Sequence, residues 1–377
     1  MSWTITHRCF QVALCFTLCS LARGLAAEER LIFVSSFAAG DKGAIQAYRL
    51  DLETGALQTA VRTSGIEHPF FLALNPQHTR LYSIHAPGQF GGKSNEFVAA
   101  YEVVGDQGEL KPLNRQSTRG TSSCYVEVDP TGKSLVVANY SSGSVASLPV
   151  RADGSLGEVV TFVQHEGSSV NPERQEGPHA HCAVIKGDRM YAADLGLDKI
   201  LCYQLDAKSQ LTPALQPFAR TIPGAGPRHL TFHPDGHHLY VINELANSIM
   251  LFDFATDTGI LIERQTISTL PPDFQGTSYC ADVKVTSDGK FVYGTNRGHD
   301  SLAIYRTKTD KSLSLVAIIP SHGEQPQNLA ITPDGKWLLC ANMGGNLAVF
   351  RINADTGELT LAGEPTPQTS PACIMIR

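Results

Sequence analysis

Apolar positions in this chain come in short runs separated by small polar turns, and the arrangement repeats. Each copy reads as an apolar strand, a turn, a second apolar strand and a stop such as Asp355-Thr356-Gly357-Glu358-Leu359. Seven copies can be aligned: Leu31–Leu57, Leu81–Leu110, Leu135–Leu156, Met190–Leu211, Leu239–Leu261, Phe291–Leu313 and Leu338–Leu359. Their closing leucines lie 53, 46, 55, 50, 52 and 46 residues apart. Strand-built repeats of this length predict an all-β, seven-bladed β-propeller, one four-stranded blade per repeat. A length of 377 residues would otherwise suggest two or three domains. A blade cannot cover both its faces without neighbours, so residues 28–377 are expected to form a single domain.

The repeat from Pro227 to Leu261 is the most legible. Strand one is expected at Arg228–His233, followed by the tight turn Pro234-Asp235-Gly236. Strand two is expected at Leu239–Asn243, strand three at Ile249–Phe254 and an outer strand near Leu261–Thr269. The turn recurs as Pro130-Thr131-Gly132, Ser287-Asp288-Gly289 and Pro333-Asp334-Gly335. The first repeat starts at strand two, whereas the chain ends on Ser370-Pro371-Ala372-Cys373-Ile374-Met375-Ile376, which matches strand one elsewhere. The C-terminal strand is therefore expected to complete the first blade and close the ring, leaving no open sheet edge.

Composition fits a soluble globular chain, with 42% apolar and 18% charged residues. A net charge of −6 without a basic stripe argues against nucleic acid as a partner. Residues 1–27 read as a secretory signal peptide: His7 and Arg8, then apolar Val12–Leu21, then small residues before Glu28. That run is too short to span a bilayer, and no later one is longer, so export without membrane attachment is expected after cleavage, or a cytoplasmic location if the leader is no signal. Cys124, Cys182, Cys202, Cys280, Cys340 and Cys373 remain in the mature chain, all in or beside predicted strands. Their even number permits disulfides, but their placement suits buried free thiols.

Strands one and two of a blade run antiparallel, which sorts polar residues by face. The start of strand one and the end of strand two share one end; the Pro-Asp-Gly turns share the other. On the first face fall His179, His181, Arg228, His229, Glu244 and Arg297, with Asn139, Asp194, Asn243, Asn296 and Asn342 ending strand two. His237 and His238 fall on the opposite face. The asparagines recur in most blades, as turn residues would. Arg228 stands where other blades carry Phe70, Cys124, Ala281 or Gln327, and a charge near a narrow axis must be paired or bind something. Blade 4 aligns His179 with Arg228 if no gap is allowed, and His181 if its turn is two residues shorter; His181 is preferred.

One imidazole, one carboxylate and two guanidinium groups suit an anionic, ester-like substrate. Arginine binds phosphate or carboxylate through its planar fork and can stabilise an oxyanion. Histidine can take a proton from water near neutral pH, and a carboxylate can orient it or act as base. The set His181, Glu244, Arg228 and Arg297 is thus the candidate catalytic group, with His179, His229, Asn243 and Asn296 as candidate substrate-binding residues. His179 and His181 are spaced as metal ligands could be, but no third ligand of matching spacing accompanies them, and neither metal nor other cofactor is expected. No G-x-S-x-G elbow and no dinucleotide fingerprint occur.

Gly226-Pro227-Arg228-His229-Leu230, Phe232-His233-Pro234 and Asn243-Glu244-Leu245 resemble the signature of the 6-phosphogluconolactonase family of seven-bladed propellers, to which fungal carboxy-cis,cis-muconate cyclase is related. Pro178-His179-Ala180-His181-Cys182, Asp194-Leu195-Gly196 with Asp198-Lys199, and Thr295-Asn296-Arg297-Gly298-His299-Asp300-Ser301 are similar to other parts of the pattern. The likeness spans residues 30–377. It implies a metal-independent site of His181, Arg228, Glu244 and Arg297 and hydrolysis of 6-phospho-D-glucono-1,5-lactone. That lactone is cytosolic, so an exported chain would meet another sugar lactone or a cyclised organic acid. The expected partner is a small anionic or sugar lactone, acted on by a monomer. Two other readings stay open: a non-catalytic exported binding or scaffold propeller, and a muconate-type cyclase or isomerase.

Overall fold

The structure is a computed structural model and describes Met1, residues 28–86 and residues 96–377. The leader expected over residues 1–27 otherwise lies outside the described residues. Seven antiparallel sheets follow one another, each built from strands in the order one to four. Blade 5 comprises Pro227–Phe232, His238–Asn243, Ser248–Phe254 and Leu261–Ser268, each within a residue or so of the strand expected from sequence. First strands of neighbouring blades touch one another all the way round, so they line a common axis.

The C-terminal strand Pro371–Ile376 supplies strand one of blade 1, pairing Ile32 with Ile376, Phe33 with Met375 and Val34 with Ile374. Ser35 Oγ accepts from Cys373 N at 3.0 Å, and Asn328 Oδ1 of blade 7 accepts from Ile374 N at 2.8 Å. The two chain ends are thereby locked into one sheet.

The repeated stop also has a mechanical meaning. An aromatic residue on strand two of one blade reaches the stop of the next. Tyr82 donates its hydroxyl to Gly154 O at 3.0 Å, Tyr191 to Gly259 O at 3.1 Å and Tyr293 to Gly357 O at 3.0 Å. Trp337 of blade 7 donates its indole N–H to Leu52 O of blade 1 at 2.9 Å, which repeats the contact across the closure. Gly357 holds φ at +79°, and a Cβ there would lie 2.2 Å from the Phe291 ring, so this position takes only glycine. Cys124, Cys182, Cys202, Cys280, Cys340 and Cys373 are all buried and free; they pack as small apolar side chains, and disulfides among them fall away.

Candidate active site

All seven first strands carry a register shift near their start. In blade 5 the register passes from Pro227↔Asn243 to His229↔Ile242, leaving Arg228 as the extra residue of a β-bulge. In blade 4 it passes from Ala180↔Asp194 to Cys182↔Ala193, leaving His181. Cys124 and Gln327 occupy the same place in blades 3 and 7, and Phe70 lies in the wider irregularity of blade 2. Bulges re-aim side chains, and here they turn these five residues toward the axis. His181, not His179, is therefore the blade 4 counterpart of Arg228, as expected if the blade 4 turn is two residues shorter.

These residues line a cavity of about 440 Å³ together with Glu244, Arg297, Tyr140, Ser141, Met343 and Arg174. Tyr140, Glu244, Arg297 and Met343 each follow the asparagine that closes strand two of their blade. The cavity is thus two rings, bulge residues below and post-asparagine residues above. His181, Arg228, Glu244 and Arg297, which span 117 positions of the chain from 181 to 297, meet in it.

Glu244 is the hub. Its Oε2 accepts from Arg228 Nε at 2.9 Å and from Arg297 Nη2 at 2.8 Å; its Oε1 accepts from Arg174 Nη2 at 2.6 Å. Burial alone would raise this carboxyl, but Arg297, Arg228 and Arg174 outweigh burial and hold it down at about 2. Arg228 is 1% exposed. Burial, reinforced by Arg297, lowers its guanidinium to about 10, so it still carries its charge at neutral pH. His181 is kept well below the usual histidine range by burial first, then by Arg228, His229 and Arg297. It is a neutral imidazole at pH 7, and its Nδ1 has no hydrogen-bond partner among the described residues. Cys124 is no nucleophile here, since burial raises its thiol well above the usual value.

The remaining candidates fall elsewhere. His179 sits at the rim, stacked on Tyr140 with ring centroids 4.5 Å apart. His229 lies behind Arg228, 3% exposed, and does not line the cavity. Asn243 and Asn296, expected to bind substrate, are fully buried, and their amides donate to Ser248 Oγ and Ser301 Oγ, both at 3.0 Å. Asn139 makes the same bond to Ser144. These amides tie strand two to strand three, and neither Asn243 nor Asn296 is among the residues that line the cavity.

Sequence reasoning missed Tyr140, Met343 and Arg174. The first two hold the register position of Glu244 and Arg297, so the repeat contained the signal. Arg174 lies in the 165–179 connection between blades 3 and 4, which has no counterpart in the repeat. Among the described residues, the one His/Asp group spaced for a metal ion is His233, Asp235 and His238, in the turn at the opposite end of blade 5.

The fold and its ring of bulges define a β-propeller with a cavity at its axis lined by three arginines and a glutamate. The family model described as "Lactonase, 7-bladed beta-propeller" matches residues 31–376, and the chain belongs to that family. It is 36% identical to 6-phosphogluconolactonase of Bacillus subtilis over 346 residues, 91% of this chain and 97% of the relative. It is 31% identical to 6-phosphogluconolactonase of Formosa agariphila over 87% of this chain and 94% of that one. The solved periplasmic gluconolactonase of Pseudomonas aeruginosa superposes with a TM-score of 0.87 at 31% identity, covering 93% of this chain and 99% of that chain.

Proposed function

We propose that this lactonase hydrolyses an anionic sugar lactone of the 6-phosphogluconolactone type, by direct attack of water and without a metal ion. The observation that carries the reading is the charge set of the cavity: three guanidinium groups gathered on one carboxylate, beside a neutral imidazole. Among the lining residues Arg174, Arg228 and Arg297 oppose Glu244 alone. The excess of two positive charges suits a phosphate or carboxylate on the substrate.

The chemistry follows from the same geometry. His181 takes a proton from water as its oxygen attacks the lactone carbonyl carbon. The carbonyl oxygen becomes an oxyanion facing Arg228 and Arg297. The ring C–O bond then breaks, and the proton passes from His181 to the departing ring oxygen, giving the open hydroxy acid. Glu244, already held at about 2, is too weak a base for this role. Its work is to fix the arginines. We also propose export, supported by the leader and by the relative described as periplasmic.

The test is an assay of purified protein on 6-phospho-D-glucono-1,5-lactone and on unphosphorylated gluconolactone, each against buffer. Opening faster than buffer, lost in Arg228→Ala, is the expected result. Rates equal to buffer on both lactones would overturn the proposal.

A further inference from the structure

Behind the cavity, a file of buried polar side chains continues along the axis. Arg228 Nη1 donates to Ala281 O at 2.5 Å and lies 3.2 Å from His229 Nε2. His229 Nδ1 lies 2.8 Å from Asp282 Oδ1. Asp282 is fully buried and surrounded by donors: Val283 N at 2.9 Å and Lys284 Nζ at 2.8 Å on Oδ1, with Asn328 Nδ2 at 2.8 Å and Leu329 N at 2.9 Å on Oδ2. A carboxylate so enclosed stays ionised and accepts only. It therefore fixes the proton of His229 on Nδ1. With that proton placed, Nε2 presents a lone pair, and a lone pair is what the Arg228 Nη1–H requires.

We propose that His229 and Asp282 are positioning residues for the lactone reaction, setting the angle at which Arg228 meets the developing oxyanion. The proposal rests on the lactonase reading given above. His229 does not reach the substrate. It holds the guanidinium on the side opposite Glu244, so the cation is gripped at Nε by a carboxylate and at Nη1 by a carbonyl and an imidazole. Lys284, on the far side of Asp282, balances the buried negative charge through bonds of 2.8 Å to both carboxylate oxygens. Burial and Arg228 lower the His229 imidazole to about 4, so it is neutral under working conditions and can accept. In the reverse tautomer, Nε2–H would face Nη1–H, and Arg228 would turn away.

The experiment compares His229→Gln with His229→Leu in the whole mature protein. Glutamine offers Arg228 an acceptor oxygen and leucine offers none, while both lose the imidazole. A well-placed oxyanion donor is worth about 100-fold in kcat. The Leu variant is expected to lose kcat by about that factor with KM within about threefold, and the Gln variant to keep kcat within about tenfold of native. A melting curve on each separates misfolding from misplacement. Nitrogen NMR on native protein reads the His229 tautomer without any substrate; Nδ1–H is expected, and Nε2–H overturns the proposal. Equal losses in the Gln and Leu variants overturn it too, and leave the lactonase reading intact. If native protein opens no lactone, that reading fails instead. The tautomer, with the exchange protection of the Arg228 Nη protons in native and Leu proteins, then decides the positioning on its own.

Discussion

Arg228 and Arg297, from adjacent blades and 69 positions apart in the chain, share one oxygen of Glu244, at 2.9 and 2.8 Å. Two cations this close would repel, and Arg297 does lower the Arg228 guanidinium. The carboxylate between them is what makes the pair tolerable. Removing one partner of a buried ion group costs about 3–5 kcal/mol, since the remaining charge is stranded. Glu244→Gln is therefore expected to lower unfolding free energy by a few kcal/mol at pH 7 and to cut kcat/KM at least about 100-fold, as both arginines lose their orientation. The carboxyl sits below its unfolded value, so this stability is present above about pH 4.5 and disappears as pH falls toward about 2. Denaturant unfolding of both proteins at pH 7 and at pH 2.5 checks it: the gap narrows markedly at the lower pH. An equal gap at both values would refute the role of the charge.

The pH profile of kcat/KM separates His181 from Glu244 as base. Glu244 at about 2 does not titrate in the working range. His181 lies below the usual histidine value of 6.5 because of burial, Arg228, His229 and Arg297. In the proposed mechanism its neutral form is the active one, so activity is expected to fall on acidification only when pH passes below the usual histidine range. Arg297→Ala removes one of the repelling charges and should move that acid limb upward. A limb that stays in place in the variant would point to another base.

Much of this site could be read from the repeat alone. Arg228 stands out because four other blades, with Phe70, Cys124, Ala281 and Gln327, define what belongs at that position. The antiparallel order of strands one and two then put Glu244 and Arg297 on its face. What the repeat could not supply was the bulge. A clean strand alternates its side chains, and an extra residue at the start resets which of them turns inward; this settles His181 over His179. Alternation also cannot tell a buried amide from an exposed one, so it does not show that Asn243 and Asn296 are buried. Arg174 was out of reach for a different reason: its position is set by a connection that only one blade has.

Ring closure has its own test. Residues 371–377 supply the inner strand of blade 1, with Ala372, Cys373 and Ile374 buried. Deleting them exposes that surface, uncovers the paired edge of Glu29–Ser36 and takes the Asn328 contact from blade 7. By the usual value of buried side chains the loss is on the order of 5 kcal/mol, spread over the whole ring because blades support one another. Calorimetry should give a single transition at lower temperature, not a small separate one. An unchanged melting temperature would contradict the closure.

Water attack without a metal predicts indifference to chelators. Prolonged dialysis against EDTA should leave kcat/KM within about twofold of the untreated protein, because in the proposed mechanism His181 and the arginines supply base and electrophile. The His233, Asp235 and His238 group lies at the other end of blade 5 from the cavity, so its occupancy should not matter to turnover. Loss of activity in EDTA, restored by a divalent ion, would assign the chemistry to a metal.

Arg174 bears on which lactone is preferred. It reaches Glu244 from outside the two rings, with its guanidinium 5.4 Å over the Tyr279 ring and its Nη2 3.3 Å from the Tyr140 hydroxyl. It belongs to neither the bulge ring nor the post-asparagine ring, and its side chain is 31% exposed, at the cavity entrance. An anionic group carried at the far end of a sugar lactone would meet it before the carbonyl met Arg228. One partly exposed arginine–phosphate contact is worth about 1.5–3 kcal/mol, or roughly 10- to 100-fold. Arg174→Ala should therefore lower kcat/KM about tenfold for a phosphorylated lactone, mostly through KM, and only slightly for plain gluconolactone. Steady-state kinetics on the two substrates decides it. A parallel loss on both would place Arg174 with Glu244, as part of the clamp on the arginines, and a loss on neither would leave it outside the site.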